Sequence, residues 1–212
     1  MHSEASRVWV RVDDGRRLMG ANGVDGELGR VVEELGAVGE EARREFGRLS
    51  AAQVNWKPGP DEWSVGQCLE HLIKTNRGFF PVLEQIARGE RRNSAWERWS
   101  PLSGFFGRMV ERSLARDGGR KFKAPPKLRP SASGVAPDIV EQFAAHQNDL
   151  AGLVGAAGRA APQRTVVTSP VSGFVTYSLR DAFRIVVAHE RRHLRQARRV
   201  TETPGFPASV SS

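Results

Sequence analysis

Histidine is scarce in this chain: His2, His71, His146, His189 and His193 are all it has. Two of them stand in the stretch IVVAHERRHLRQARRV, residues 185–200. His189 and His193 are an i, i+4 pair, which on a helix lie one turn apart on the same face. That spacing suits two imidazoles on one metal ion, with ring nitrogens roughly 2.0–2.2 Å from it. On a helical wheel both histidines lie at one edge of the apolar stripe, while Arg191, Arg192, Arg195, Arg198 and Arg199 fall on the far side, toward water. Glu190 lies near the centre of the inward face. A carboxylate there is either a base or a partner that orients an imidazole N–H, or it is a residue of the pocket mouth paired with an arginine. Without a third ligand the pair reads as two hydrogen-bonded interface histidines.

His189-Glu190-Arg191-Arg192-His193 also satisfies the H-E-x-x-H pattern of zinc metalloproteases. One class of those enzymes continues as H-E-x-x-H-x-x-G-x-x-H, but here Gln196 stands where the glycine would be and Arg199 where the histidine would be. The thermolysin-like class takes a glutamate from a following helix. Glu202 is the last carboxylate of the chain and stands at the edge of a Pro/Ser tail. The protease reading is therefore set aside.

A third ligand is available upstream. His71 lies in DEWSVGQCLEHL, on the flank of another helical stripe. Side chains from facing helices of a bundle converge inside it. Three histidines from two helices leave one coordination position open, the pattern of a catalytic rather than a closed structural site. His146 borders a third stripe and reads as a core or edge histidine, with a fourth ligand as the alternative. Thr75 reads as a helix hydroxyl, Gln196 as an inter-helix hydrogen bond, and Cys68 as an inert buried thiol. Trp56, Trp63, Trp96 and Trp99 read as packing anchors.

Four helical stripes must carry these residues. The first runs from about Gly26 to Leu49, with Leu28, Val31, Val32, Leu35, Ala42 and Phe46 recurring at three and four. The second opens at Ser64, whose capping box with Gln67 follows a staple-like Trp63; Pro81 should kink it near its end. The third follows Pro137 and carries Ile139, Phe143, Gln147, Leu150 and Val154. The fourth begins at the cap Ser178, with Asp181 three residues on. Between the second and third, one extra amphipathic helix is expected over Trp96–Val110. The proline-rich RKFKAPPKLRPSAS then lies extended over the bundle. Residues 162–177 read as a loop or a short irregular strand pair. The expected fold is all-α: an up-down four-helix bundle with a decorated connection between helices two and three. Its domain spans 24–203, after a loose leader over 1–23 and before a Pro/Ser/Gly tail over 204–212. Met19 is a candidate true start, which would make 1–18 an upstream extension.

At 212 residues the chain suits one domain with a sizeable core. No apolar run is long enough for a membrane span, and the N-terminus lacks the apolar stretch of a secretory signal. A single cysteine excludes an internal disulfide and fits a reducing cytoplasm. The net charge is +8, and residues 84–130 hold twelve Lys/Arg against five acids. No nucleic-acid docking motif accompanies that excess, so it reads as a solvated arginine-rich surface. Expected partners are a small-molecule substrate or thiol, with a homodimer left open and neither nucleic acid nor membrane.

LSAAQVNWKPGPDEWSVGQCLEHL and YSLRDAFRIVVAHERRHLRQ together resemble the DinB-like superfamily, the metal-binding four-helix bundles that include the bacillithiol and mycothiol S-transferases. FKAPPKLRPS and VEQFAAHQNDL resemble one branch of it, and the resemblance covers about residues 24–200. It implies a metal triad of one histidine from helix two and two from helix four, here His71, His189 and His193. The implied ion is Zn²⁺ or Ni²⁺, which suit imidazole, with Fe or Mn as alternatives. The implied activity is that of a metal-dependent transferase using a low-molecular-weight thiol, or a hydrolase. A non-catalytic metal- or ligand-binding module is the alternative. Nothing in the residues supports a link to DNA damage.

Overall fold

The computed structural model describes residues 15–99, 107, 109, 112, 125–132, 134–162 and 164–208, with side chains from Gly26 onward. The first fourteen residues of the expected leader, most of the amphipathic helix expected over Trp96–Val110 and the end of the tail lie outside them.

The described chain is all-α apart from one small strand pair. Helix α1 spans Gly15–Phe46 and so begins well ahead of the stripe that opens near Gly26. A short α2, Ala51–Asn55, follows. Helix α3 spans Val65–Arg77 and α4 spans Phe80–Ala87. The expected kink at Pro81 is a full break: Gly78 caps α3, and the proline falls in the first turn of α4, where its missing N–H costs nothing. Helix α5, Ala95–Arg98, is one turn, and Pro126–Leu128 form a 3₁₀ turn. Helix α6 spans Ile139–Ala160 and α7 spans Leu179–Thr201. Between them β1, Val166–Thr168, pairs antiparallel with β2, Thr176–Ser178, in the register Val167 to Tyr177.

Sequence chemistry sets the helix starts. Ser50, Ser64 and Ser94 each accept from the N–H three residues on, while Gln53, Gln67 and Glu97 reach back to the cap N–H. Each such capping box satisfies two orphan donors reciprocally. Ser178 caps α7, accepting from the Asp181 N–H.

Contacts fix the helix directions. Val32 lies near Gly155, Gly39 near Gln147, and Arg43 pairs with Glu141, so α1 and α6 are antiparallel. Arg184 pairs with Glu27, Arg191 with Glu34 and Arg198 with Glu45, so α1 and α7 are parallel. Gly66 lies near Val135 and Phe80 stacks on His146, so α3 and α6 run the same way. The four long helices of the bundle thus run in the order up, down, down, up. Two parallel consecutive helices need a crossover, which accounts for the length of the connection between α4 and α6.

Two apolar clusters fill the interior. One includes Leu35, Phe79, Leu83, Leu150 and Phe183; the other includes Phe46, Leu69, Leu72, Phe143 and Leu194. Asn76, Gln147 and Glu190 sit at the level between them, all buried. Gly39 lets α1 close on this layer: a Cβ there would lie 3.2 Å from that of Gln147. Among the described residues no helix is long and apolar enough to cross a membrane.

Candidate metal centre

The Ser64 capping box starts α3 so that His71 falls on its buried face. The Ser178 cap starts α7 so that His189 and His193 face α3 one turn apart. The result is a single cluster: one ligand atom from each of His71, His189 and His193 can be chosen so that all lie within 4.8 Å of one another. His71 Nε2 lies 3.3 Å from His189 Nε2. The three rings meet edge-on, with centroids 4.6 to 5.2 Å apart.

The tautomer of His71 follows from its neighbour. Nδ1 lies 2.6 Å from the Leu128 carbonyl, which only accepts, so Nδ1 carries the proton and Nε2 offers its lone pair to the cluster. A carbonyl behind a histidine is the usual way a ligand ring is aimed and made more basic. Leu128 is brought there by the proline-rich crossover, which lies over α3 as its composition suggests. Glu70 accepts from the Ser131 N–H and hydroxyl, Gln67 donates to the Ser131 carbonyl, and Lys74 donates to the Arg129 carbonyl.

All three rings are held neutral. Burial is the first cause in each case. His189 is pushed down to about 3 by desolvation, then by His71 and Arg192. His193 is pushed well down by desolvation, then by its two histidine neighbours, with Gln196 opposing. His71 is lowered by desolvation, which outweighs the Leu128 carbonyl. Neutral imidazole is the ligand form. His193 Nδ1 is buried with no hydrogen-bond partner, so no neighbour holds the ring by that nitrogen. The residues therefore fit a divalent metal, and these three histidines could hold one.

Glu190 is fully buried, and its hydrogen bonds join three helices. Its Oε1 accepts from Asn76 of α3 at 2.5 Å and from Gln147 of α6 at 3.0 Å. Its Oε2 and the Gln147 Oε1 are buried without partners. Desolvation raises the carboxyl to about 7 against these two amide bonds. The ligand cluster contains no carboxylate among the described residues.

Other candidates sort themselves by position. His146 stacks flat on Phe80, with centroids 5.1 Å apart, outside the cluster. Thr75 donates to the His71 carbonyl within its own helix. Gln196 acts on the His193 ring of its own helix. Cys68 is buried, and desolvation pushes its thiol far up. Glu202 is exposed at the C-cap of α7.

Three readings need correction. Trp96 and Trp99 are 54% and 84% exposed, so among the described residues they do not anchor packing. Arg191 and Arg198 do not simply face water; they ion-pair with α1. Trp63 is more than a staple: its indole is stacked on His193 at 5.6 Å and 21° and tilted against His71 at 4.8 Å. Its place just before the cap Ser64 was visible in the sequence, but its ring partners belong to two helices and were not.

The sequence profile of the DinB superfamily matches residues 34–197, a span that holds all three clustered histidines. The uncharacterized protein YuaE of Bacillus subtilis (strain 168) is similar to the chain, 24% identical over 163 residues that cover 76% of this chain and 91% of that protein. No solved structure matches the chain.

Proposed function

This chain belongs to the DinB superfamily, and on that premise we propose that His71, His189 and His193 ligate one divalent ion in a thiol-dependent S-transferase. The observation that carries this reading is the convergence of three neutral imidazoles with no carboxylate among them. Such a ligand set suits Zn²⁺ or Ni²⁺ first, and Fe or Mn after them. It leaves the charge of the ion uncompensated by protein ligands, which favours an anion at the remaining position. When bound, the ion supplies Lewis acidity, lowering the pKa of a thiol from its ordinary value of about 8.5, or that of a water.

The chain's own residues do the rest. The Leu128 carbonyl holds the His71 tautomer with Nε2 toward the ligand cluster. The bundle interior keeps the other two imidazoles deprotonated. Glu190, tied to Asn76 and Gln147, fixes the turn of α7 that bears both histidines. We assign it that supporting role, with a base in the reaction as the alternative.

Protein purified without a histidine tag should carry close to one divalent ion per chain. Replacing any of His71, His189 or His193 by Ala should remove it, and His146→Ala should not. Undiminished metal in His71→Ala overturns the triad. Holo and chelated protein should then be compared with bacillithiol, mycothiol, glutathione and coenzyme A against a haloaromatic or an epoxide. Acceleration only in the holo protein supports the transferase. Ester or amide hydrolysis without thiol transfer makes the protein a hydrolase, and neither activity makes it a binding module. Glu190→Gln is the internal control: lost turnover with retained metal would move Glu190 into the chemistry.

A further inference from the structure

Ligand histidines are normally aimed by a hydrogen bond on the far ring nitrogen. His71 has one, to Leu128. His193 Nδ1 has none and is buried. The extended contact of the His193 ring is instead with the Trp63 indole, nearly parallel to it at 21°. The same indole leans on His71 from α3, so one side chain bears on rings from both ligand-bearing helices.

The Trp63 position is not left to chance. Trp63 is half-buried and directly precedes Ser64, whose capping box with Gln67 fixes the path of the chain into α3. As an ordinary staple it would pack on the residue four positions into the helix, Cys68. The ring contacts run past that position to His71 and on to His193.

Resting on the metal-centre reading above, we infer that Trp63 is a positioning residue of that centre, which aims His193 and favours its metal-bound form. The physical reason is electronic. A cation bound to an imidazole draws density from the ring and makes it partly cationic. The face of an indole attracts positive charge, and among aromatic side chains it does so best. Trp63 therefore stabilises the loaded ring more than the empty one. Gln196, which also acts on His193, offers a polar contact from the same helix.

The test uses full-length protein, Co²⁺ as the probe, and the variants Trp63→Phe, Trp63→Leu and Gln196→Ala. Affinity should fall in the order Trp, Phe, Leu, with Leu roughly three- to thirty-fold weaker, the range of a cation–π contact. The visible Co²⁺ bands, which report coordination geometry, should shift in Trp63→Leu and return toward wild type in Trp63→Phe. Unfolding of the chelated proteins is measured alongside, and Trp63→Phe should unfold like wild type while still binding more weakly. Equal affinities and spectra in all Trp63 variants overturn the inference, as does an affinity loss confined to Gln196→Ala. An affinity loss matched by an equal loss of chelated stability makes Trp63 merely structural. A wild-type chain that takes up no Co²⁺ overturns the metal centre itself, and this inference with it.

Discussion

Among the described residues three imidazoles are buried and His189 is half-buried, and the one outside the cluster gives the cleanest view of what burial does. His146 sits on Phe80 with its Nε2 unpartnered. Desolvation first and then Arg77 lower it to about 4, with Asp149 opposing. The folded pKa lies below the ordinary 6.5, so between these values the unfolded chain binds a proton that the folded chain does not. Stability from this site is therefore present above pH 6.5 and is lost as pH falls toward 4. His146→Phe keeps a flat ring on Phe80 and removes the titration. Urea unfolding of chelated protein at pH 7 and pH 5 should show wild type losing on the order of 1–2 kcal/mol more than the variant. Equal losses would mean that His146 is hydrated. At this scale the i, i+4 pair and His71 were legible because a helix turns their spacing into a shared face. The Leu128 carbonyl was not, since every residue carries a carbonyl and only the crossover's path selects this one.

A ladder between α1 and α7 shows how two elements hold their register. Glu27, Glu34 and Glu41 recur every seven residues, as do Arg184, Arg191 and Arg198. Arg184 pairs with Glu27, Arg191 with Glu34 and Glu41, and Arg198 with Glu41 and Glu45. Parallel helices keep such heptads in step along their length. The ladder holds α7 from the side opposite α3, so it backs the face that carries the histidines. Glu41, which serves two arginines, is its most connected acid. Partly exposed pairs contribute roughly 0.2–1 kcal/mol each, so Glu41→Gln should cost no more than about 2 kcal/mol. Glu41→Lys should cost more, because it places a third cation beside two. Both losses should shrink in 1 M salt, where charges are screened within about 3 Å; salt-independent losses would assign the effect to packing. The apolar faces of these helices were legible from the periods of three and four. The ladder was hidden because on their own helix the arginines point away from the stripe, and their acids lie on another helix far off in sequence. The early start of α1 was hidden too, since Gly15, Gly20 and Gly23 are poor helix formers and mask the period.

The order up, down, down, up links the architecture of the whole chain to its centre. Helices α3 and α6 run the same way, so the chain must travel back along the bundle between them, and its return path lies over α3. The centre is consequently assembled from three places: α3, α7 and the crossover that aims His71. That dependence can be broken without touching a ligand. Glu70 faces the crossover, where it accepts two hydrogen bonds from Ser131 and pairs with Lys74 at 2.8 Å. Glu70→Ala should loosen residues 128–131 and let the Leu128 carbonyl drift from His71. Losing a direct partner of a ligand histidine weakens metal binding by about 10- to 100-fold. An indirect loss should give the lower part of that range, a few-fold to about ten-fold. Glu70→Gln, which can still accept from Ser131, should recover most of it. Metal affinity is the deciding measurement, with limited proteolysis near Lys127 and Arg129 as its companion. Affinity should fall as cleavage there quickens, while the unfolding midpoint of the chelated bundle stays close to wild type. Faster cleavage with unchanged affinity would show that α3 aims His71 unaided, and that the crossover is long only because two of the helices are parallel.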